Sequence, residues 1–255
     1  MIVKTEHEIT ELRHAGKILS YVLKEVSLLL NTGVTTAELD LLAERIIREE
    51  GAIPAFLNYR PSGAKFPFPA ALCVSINDEV VHGIPSEEKV LQKGDVVSID
   101  LGLSYNGYFV DSARTFFVGE GDEIGQKLID GTRESLSAAI KATRVGGRVG
   151  DIGAAVEEVA HKYGFAVVAE LGGHAVGKAV HERPFISNVG IKGEGEKIVE
   201  GMVLALEPIF AEGNGAVSLL GDHWTYATRD GSRAAHFEQT ILVTKKGVEI
   251  LTPFV

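Results

Sequence analysis

The chain contains 255 residues, of which 45% are hydrophobic and 24% are charged, so it can bury a substantial core as one large domain or two tightly joined halves. Acidic residues outnumber basic ones and give a formal net charge of −10. This balance argues against nucleic acid and other polyanions as partners, because phosphate binding needs clustered Lys and Arg side chains.

Cysteine content and apolar runs bear on the compartment. Cys73 is the single cysteine, so an intrachain disulfide is excluded and a reducing compartment is expected. The amino terminus lacks the basic and apolar regions of a signal peptide, and no apolar run approaches the roughly 18 residues of a membrane span. We therefore expect a cytoplasmic protein without a membrane partner.

Two helical hairpins are predicted, one in each half of the chain. The segments Thr5–Glu8 and Thr35–Glu38 have the spacing of capping boxes, which mark helix starts. Apolar residues then recur at intervals of three and four, the period of an amphipathic helix, as far as Gly51. Past Gly119 the helical period returns, and its second helix is predicted over 149–163.

A proline-rich segment separates the first helical hairpin from the first strands. Its four prolines are Pro54, Pro61, Pro67 and Pro69. Proline restricts the backbone and cannot donate a hydrogen bond, so this density predicts a loop. We expect that loop to line a site, and a strand to follow over 71–76.

Residues 93–111 predict a β-hairpin that carries two carboxylates. A β-prone run ends at Asp100, and the dipeptide Asn106-Gly107 is a strong signal for a two-residue turn. The returning strand leads to Asp111, so folding about the turn is expected to place Asp100 opposite Asp111. Like charges that face each other cost stability unless a cation lies between them or they share a proton.

The two halves of the sequence align with each other, which predicts an internal duplication. The halves span roughly 1–119 and 120–255. Glycines and carboxylates coincide in the alignment: Gly33 with Gly146, Glu38 with Asp151, Gly51 with Gly164, and Asp100 with Glu207. Two related α+β halves would meet about a pseudo-twofold axis, with their equivalent carboxylates converging where they join.

Three further side chains are candidates for metal binding. His174 is flanked by glycines, Glu207 follows an apolar run, and Glu238 lies within a strand-like run. A carboxylate in an apolar strand is costly unless it is paired or bound to a metal. With Asp100 and Asp111 they form a mostly oxygen donor set, which suits two ions of Mn, Fe, Co or Zn.

Calcium and a cysteine nucleophile are both disfavoured. The chain has no Asp-x-Asp-x-Asp-Gly loop that would supply calcium ligands from one segment. Cys73 lies in an apolar run without a neighbouring histidine, and no Gly-x-Ser-x-Gly motif occurs.

These residues resemble the methionine aminopeptidases of the short bacterial type I, which share the pita-bread fold with creatinase and the proline-specific peptidases. The resemblance covers essentially the whole chain. Its most specific parts are Ala70–Pro85, Asp100 with Asp111, Gly173-His174, His181-Glu182, Leu206–Pro208 and Phe237-Glu238. It implies an α+β pita-bread fold with a helix hairpin on a curved antiparallel sheet in each half, and one catalytic domain over 1–255.

The resemblance also implies a role for each candidate. One metal would be held by Asp111, His174, Glu207 and Glu238, and a second by Asp100, Asp111 and Glu238. Glu207 would accept a proton from the attacking water, His181 would hydrogen-bond the scissile carbonyl oxygen, and His82 would contact the scissile amide. Phe68, Cys73 and Trp224 match positions that shape the methionine pocket.

The implied activity is removal of the N-terminal methionine from nascent proteins and peptides with a small second residue, by a monomer that uses two divalent metal ions. One alternative is an Xaa-Pro aminopeptidase or dipeptidase of the same fold, which would share all the ligands but usually carries an additional N-terminal domain. Another is a non-catalytic binding protein on this scaffold, although such proteins lose ligands.

The sequence departs from the family pattern at three places. Relatives usually have the motif Gly-His-Gly-Ile-Gly, where this chain has Gly-His-Ala-Val-Gly over Gly173–Gly177. Val180 stands where relatives commonly have an aromatic residue. We expect Val180 to loosen the pocket wall and the discrimination between methionine and leucine. His236 stands where relatives often have Gln, two residues before Glu238 and so on the same strand face. A packed or solvated residue is the preferred interpretation, and a partner that supports the metal site from outside is the alternative. No chemistry is expected of the remaining histidines, His7, His14, His161 and His223.

Overall fold

The computed structural model describes residues 1–254 and has four α-helices within that range. Their bounds are α1 Glu6–Leu28, α2 Thr36–Glu49, α3 Glu123–Ala142 and α4 Val149–Tyr163. Both predicted capping boxes are present, with the Thr5 and Thr35 hydroxyls each accepting from the backbone N–H three residues later. None of these helices is long and apolar enough to cross a membrane.

Fifteen short strands complete the regular structure of residues 1–254. They are β1 Ile53–Pro54, β2 Cys73–Ile76, β3 Glu79–Val81, β4 Val96–Tyr105, β5 Tyr108–Phe117, β6 Ala166–Val167, β7 Gly172–Ala175, β8 Glu182–Ser187, β9 Val203–Leu206, β10 Ile209–Ala211, β11 Val217–Leu219, β12 Tyr226–Thr228, β13 Ala234–His236, β14 Gln239–Thr244 and β15 Gly247–Ile250. All of their pairings are antiparallel.

Each helical hairpin packs on its own sheet. In the first half, α1 lies on β4 and β5, and β4 also pairs with β1 and β2. In the second half, α3 and α4 cover strands of a five-stranded sheet with the order β15-β14-β9-β7-β8. Leu12, Leu19 and Leu23 are fully buried in the first core, as the helical period predicted. There are two smaller sheets, β13-β10-β6 and β11-β12-β3. Strand β13 contacts β4 and β5 of the first half, and it also contacts β3.

The two helical hairpins share local details at positions that the sequence alignment equates. The residues before α2 and α4, Thr35 and Arg148, form isolated bridges with Val90 and Lys197, respectively. The N-terminal turn of α4 is closed by the Asp151 carboxylate, which accepts the Arg148 backbone N–H at 2.9 Å. The aligned glycines Gly33, Gly146, Gly51 and Gly164 all have positive φ. The internal duplication itself stays a prediction.

The β4–β5 hairpin has a different register from the predicted one. Its turn is Asn106-Gly107, with both residues at positive φ, as a tight two-residue turn requires. The register that this turn imposes pairs Asp100 with Ala113 and Asp111 with Gly102. The expectation that Asp100 lies opposite Asp111 is therefore wrong. The two carboxylates are diagonal neighbours on one face of the hairpin, since side chains two residues apart share a face.

Candidate metal centre and adjoining pocket

Two threonine hydroxyls join the halves where β5 meets residues 236–240. The Thr240 hydroxyl accepts the Asp111 N–H at 2.9 Å and donates to the Asp111 carbonyl at 2.8 Å. The Thr115 hydroxyl binds the N–H and carbonyl of His236 in the same way, both at 2.8 Å. Between them, Glu238 exchanges backbone hydrogen bonds with Ala113. Both partners of each bond are buried, so the backbones that carry these acidic side chains are held firmly.

Five predicted ligands converge beside this junction. His174 Nε2 lies 3.9 Å from a carboxylate oxygen of Asp111, of Glu207 and of Glu238. Ligand atoms of Asp100, Asp111 and Glu238 also lie within 4.8 Å of one another. The carboxylate–histidine cluster is defined as Asp100, Asp111, His174, Glu207 and Glu238. It draws its members from both halves of the chain, as expected.

Gly173 allows His174 to reach the cluster. A Cβ atom at Gly173 would lie 2.2 Å from the Ala205 carbonyl oxygen of β9, a distance that side chains do not tolerate. Without a side chain there, β7 pairs closely with β9, and His174 stands opposite Ala205, two residues before Glu207. The glycine before the histidine is thus a requirement of packing.

Burial makes the carboxylate–histidine cluster electrostatically costly by itself. Asp111 and Glu238 are each 2% exposed, and one oxygen of each, with Asp100 Oδ1, has no hydrogen-bond partner within residues 1–254. Burial raises the pKa of Asp100 to about 7. Burial, with repulsion from neighbouring carboxylates, raises the pKa values of Asp111 and Glu238 well above the usual range. A divalent cation would remove this cost, so the donor set fits a metal.

An apolar cavity of about 310 Å³ opens onto the cluster. Its walls include Phe68 and Trp224, whose rings meet edge to face with centroids 5.2 Å apart. Cys73 also lines it and pairs with Asp100 across β2 and β4. Burial raises the pKa of the Cys73 thiol well above its usual value, so the thiol stays protonated and acts as an apolar wall. Phe56 contributes to the same wall.

His82 and His181 line this cavity and also a second one beside it. Burial, together with His181 and His236, lowers the pKa of His82 to about 4, so its ring is neutral near pH 7. The exposed His181 ring lies 4.4 Å from the His174 ring, and its Nδ1 is 2.8 Å from the Tyr59 hydroxyl. Tyr59 therefore orients His181. His181 also lies within ligand distance of Asp111 and His174, although no metal role was predicted for it.

A model of metallopeptidase family M24 matches residues 10–245. The chain belongs to metallopeptidase family M24. It is 47% identical to a methionine aminopeptidase of Aquifex aeolicus over 97% of each chain. It is 41% identical to methionine aminopeptidase 1 of Bacillus subtilis over 99% of each.

Solved structures agree in fold. The methionine aminopeptidase of Thermotoga maritima superposes with a TM-score of 0.93 at 43% identity over 99% of both chains. The prolidase of Pyrococcus furiosus gives a TM-score of 0.75 at 24% identity, covering 99% of this chain but 65% of its own. The predicted family and the α+β pita-bread fold are confirmed. As an M24 member the chain is a hydrolase that uses divalent metal.

The position of Val180 differs from the expected one, and two residues that line the cavity were not predicted. Val180 is 4% exposed and packs in a cluster with Phe56 and Phe68, but it backs the cavity wall and is not among the lining residues. Phe56 and Tyr59 were not predicted as site residues. Both lie within the proline-rich segment, between Pro54 and Pro61, where neither helical nor strand periodicity marks a side chain as facing a cavity.

Proposed function

We propose that this chain is a methionine aminopeptidase, which removes the N-terminal methionine from peptides and nascent proteins with a small second residue. The observation that carries the proposal is the apolar cavity that ends at the carboxylate–histidine cluster. A methionine side chain fits such a cavity because the thioether is apolar and contacts aromatic rings favourably. The named relatives at 41–47% identity over almost their whole length support the same activity.

Two divalent metal ions are proposed as cofactors, of Mn, Fe, Co or Zn. One would be held by Asp111, His174, Glu207 and Glu238, and the other by Asp100, Asp111 and Glu238. Asp111 and Glu238 would then bridge the two ions, which gives their orphaned buried oxygens a partner. Four carboxylates with one imidazole form the donor set that these ions accept.

The bound metals would supply a water of lowered pKa and polarise the scissile carbonyl. Glu207, whose side chain is 14% exposed and thus more open than Asp111 or Glu238, would accept a proton from that water and pass it to the leaving amine. His181 would donate a hydrogen bond to the carbonyl oxygen as negative charge develops there. His82, which lines the same cavity, would contact the scissile amide.

The remainder of the substrate would leave through a second cavity of about 410 Å³, which shares His82, His181 and Glu207 with the first. This overlap supports a position of the proposed catalytic groups between the methionine pocket and the exit. We place the enzyme in the cytoplasm as a monomer, where nascent chains are its substrates and its single cysteine stays reduced.

Peptide cleavage on metal-analysed protein tests the proposal. The purified chain, loaded with Mn²⁺ or Co²⁺, should release methionine from Met-Ala-Ser and should leave Ala-Pro-Ala and Met-Leu-Ser largely uncut. Faster cleavage of the Xaa-Pro peptide would establish the proline-specific alternative. Absence of cleavage of any of these peptides, with metal bound, would indicate a binding protein on the same scaffold.

A further inference from the structure

A buried histidine at the junction of the halves has no hydrogen-bond partner for its ring. His236 ends β13 and is 1% exposed. Within residues 1–254, no group satisfies the hydrogen-bond geometry of Nδ1 or Nε2. Buried polar groups are nearly always paired, so an imidazole in this state needs a reason.

The His236 ring lies close to a carboxylate of the cluster. His236 Nε2 lies 3.3 Å from Glu207 Oε2, while Glu207 Oε1 lies 3.9 Å from His174 Nε2. The carboxylate of Glu207 therefore stands between two imidazoles, with one oxygen toward each. The Nε2 to Oε2 distance is close to that of a hydrogen bond, and only the angle is poor.

The histidine is the fixed partner of this pair. Its backbone N–H and carbonyl are both bound by the Thr115 hydroxyl at 2.8 Å, and the Ser98 hydroxyl lies 2.8 Å from that hydroxyl in turn. His236 also pairs with Ile209 of β10. Glu207 lies between β9 and β10, and the terminal torsion of its carboxylate is soft. The Glu207 carboxylate is therefore the partner that can turn toward the ring.

We infer that His236 is a positioning residue for Glu207. Its ring proton is on Nε2, and this N–H donates a hydrogen bond to Glu207 Oε2. The hydrogen bond directs Glu207 Oε1 toward His174 and the metal position. The inference rests on the proposed function, because Glu207 is both a ligand and the proton acceptor there. Hydrogen-bond partners that orient metal ligands typically contribute about 10–100-fold to metal affinity or activity.

Two substitutions separate positioning from packing. His236→Leu removes the donor at similar volume, and His236→Gln keeps an N–H donor at comparable reach. Mn²⁺ affinity of the metal-stripped protein is measured by calorimetry, together with kcat and KM for Met-Ala-Ser. We expect His236→Leu to weaken Mn²⁺ binding and to lower kcat by about 10–100-fold, with a smaller change in KM. His236→Gln should restore most of both, and His161→Leu on the exposed face of α4 is the matched control.

A second background tests the coupling to Glu207 itself. In Glu207→Ala, adding His236→Leu should cause no further loss of Mn²⁺ affinity, because the side chain that His236 orients is gone. A full further loss in that background would overturn the inference, as would wild-type Mn²⁺ affinity in His236→Leu or equal impairment in His236→Gln. If the Leu variant fails to fold, His236→Asn replaces it, since its amide is polar but too short to reach Glu207.

The proposed function fails on a different readout. Wild type that releases no methionine from Met-Ala-Ser would overturn the proposed activity, whereas a difference in Mn²⁺ affinity between the Leu and Gln variants would still establish the contact between His236 and Glu207.

Discussion

At the scale of single residues, the bridging carboxylates decide whether two metals share one site. Asp111→Ala and Glu238→Ala should each abolish turnover, because each removes a ligand common to both ions. Asp100→Ala should chiefly affect one ion and leave about one metal per chain. Metal content by elemental analysis and turnover of Met-Ala-Ser on the same preparations check this. Near-normal turnover of Asp111→Ala with added Mn²⁺ or Co²⁺ would contradict the two-metal arrangement.

His82 and His181, which line both cavities, should act on the substrate and not on the metal. His82→Ala and His181→Ala should keep about two metals per chain and the wild-type melting temperature, while turnover falls about 10²–10³-fold, the usual cost of a lost electrostatic donor. Tyr59→Phe removes the hydroxyl that lies 2.8 Å from His181 Nδ1 and should give a smaller loss. Since His181 also lies near Asp111 and His174, loss of one metal in His181→Ala would make it a ligand.

At the scale of elements, the close approach of β7 to β9 should be as necessary as the ligands themselves. Gly173→Ala would place a Cβ against the Ala205 carbonyl, so β7 must move and carry His174 away from Glu207. We expect a lower melting temperature and weaker Mn²⁺ binding. Gly221→Ala is the matched control, because nothing lies within 4 Å of its Cβ position and its φ is unstrained. Equal behaviour of the two variants would refute this account.

Local and long-range features of the fold differ in how far the sequence predicts them. Helices α1 and α2 were predicted because a capping box and a helical period are local signals. The register of Asp100 against Asp111 was wrong by two residues although the turn was predicted correctly, because a two-residue turn at Asn106-Gly107 pairs Tyr105 with Tyr108 and therefore Asp100 with Ala113. The contact between His236 and Glu207 depends on how residues 236–240 pack against β5. Because these residues are distant in sequence, no local pattern predicts the contact.

Val180 shows the same limit at the cavity wall. The sequence suggested that its small side chain enlarges the methionine pocket, whereas the structure buries it behind Phe56 and Phe68. Replacing Val180 with a larger residue would act on the pocket through the Phe56 and Phe68 rings, because overpacking displaces neighbouring side chains. The looser selectivity between methionine and leucine that we expect from Val180 therefore stays a prediction, and any such effect would be transmitted by Phe56 and Phe68.

At the scale of the whole molecule, the carboxylate–histidine cluster ties stability to pH in the metal-free protein. The folded-state pKa values of Asp100, Asp111 and Glu238 lie above their values of about 4 in the unfolded chain. The folded state therefore holds more protons, and stability falls as pH rises through the raised values. His82 and His174, with pKa values lowered to about 4 and about 3, act in the opposite sense, but only below about pH 6.5. From pH 7 upward the carboxylates dominate.

The melting temperature of the metal-stripped protein should consequently fall as pH rises from about 6.5 through the folded-state pKa of Asp100, about 7, and Mn²⁺ should remove the fall because a divalent ion stabilises the ionised carboxylates. Glu238→Gln takes one buried charge out of the cluster, so the metal-free variant should be more stable than wild type at pH 8, by about 1–4 kcal/mol, while it loses Mn²⁺ binding and turnover. Differential scanning calorimetry across this pH range, with and without Mn²⁺, measures both effects. If metal-free Glu238→Gln melted below wild type at pH 8, the buried carboxylates would be stabilising the empty site, and the electrostatic cost that we assign to metal binding would not exist.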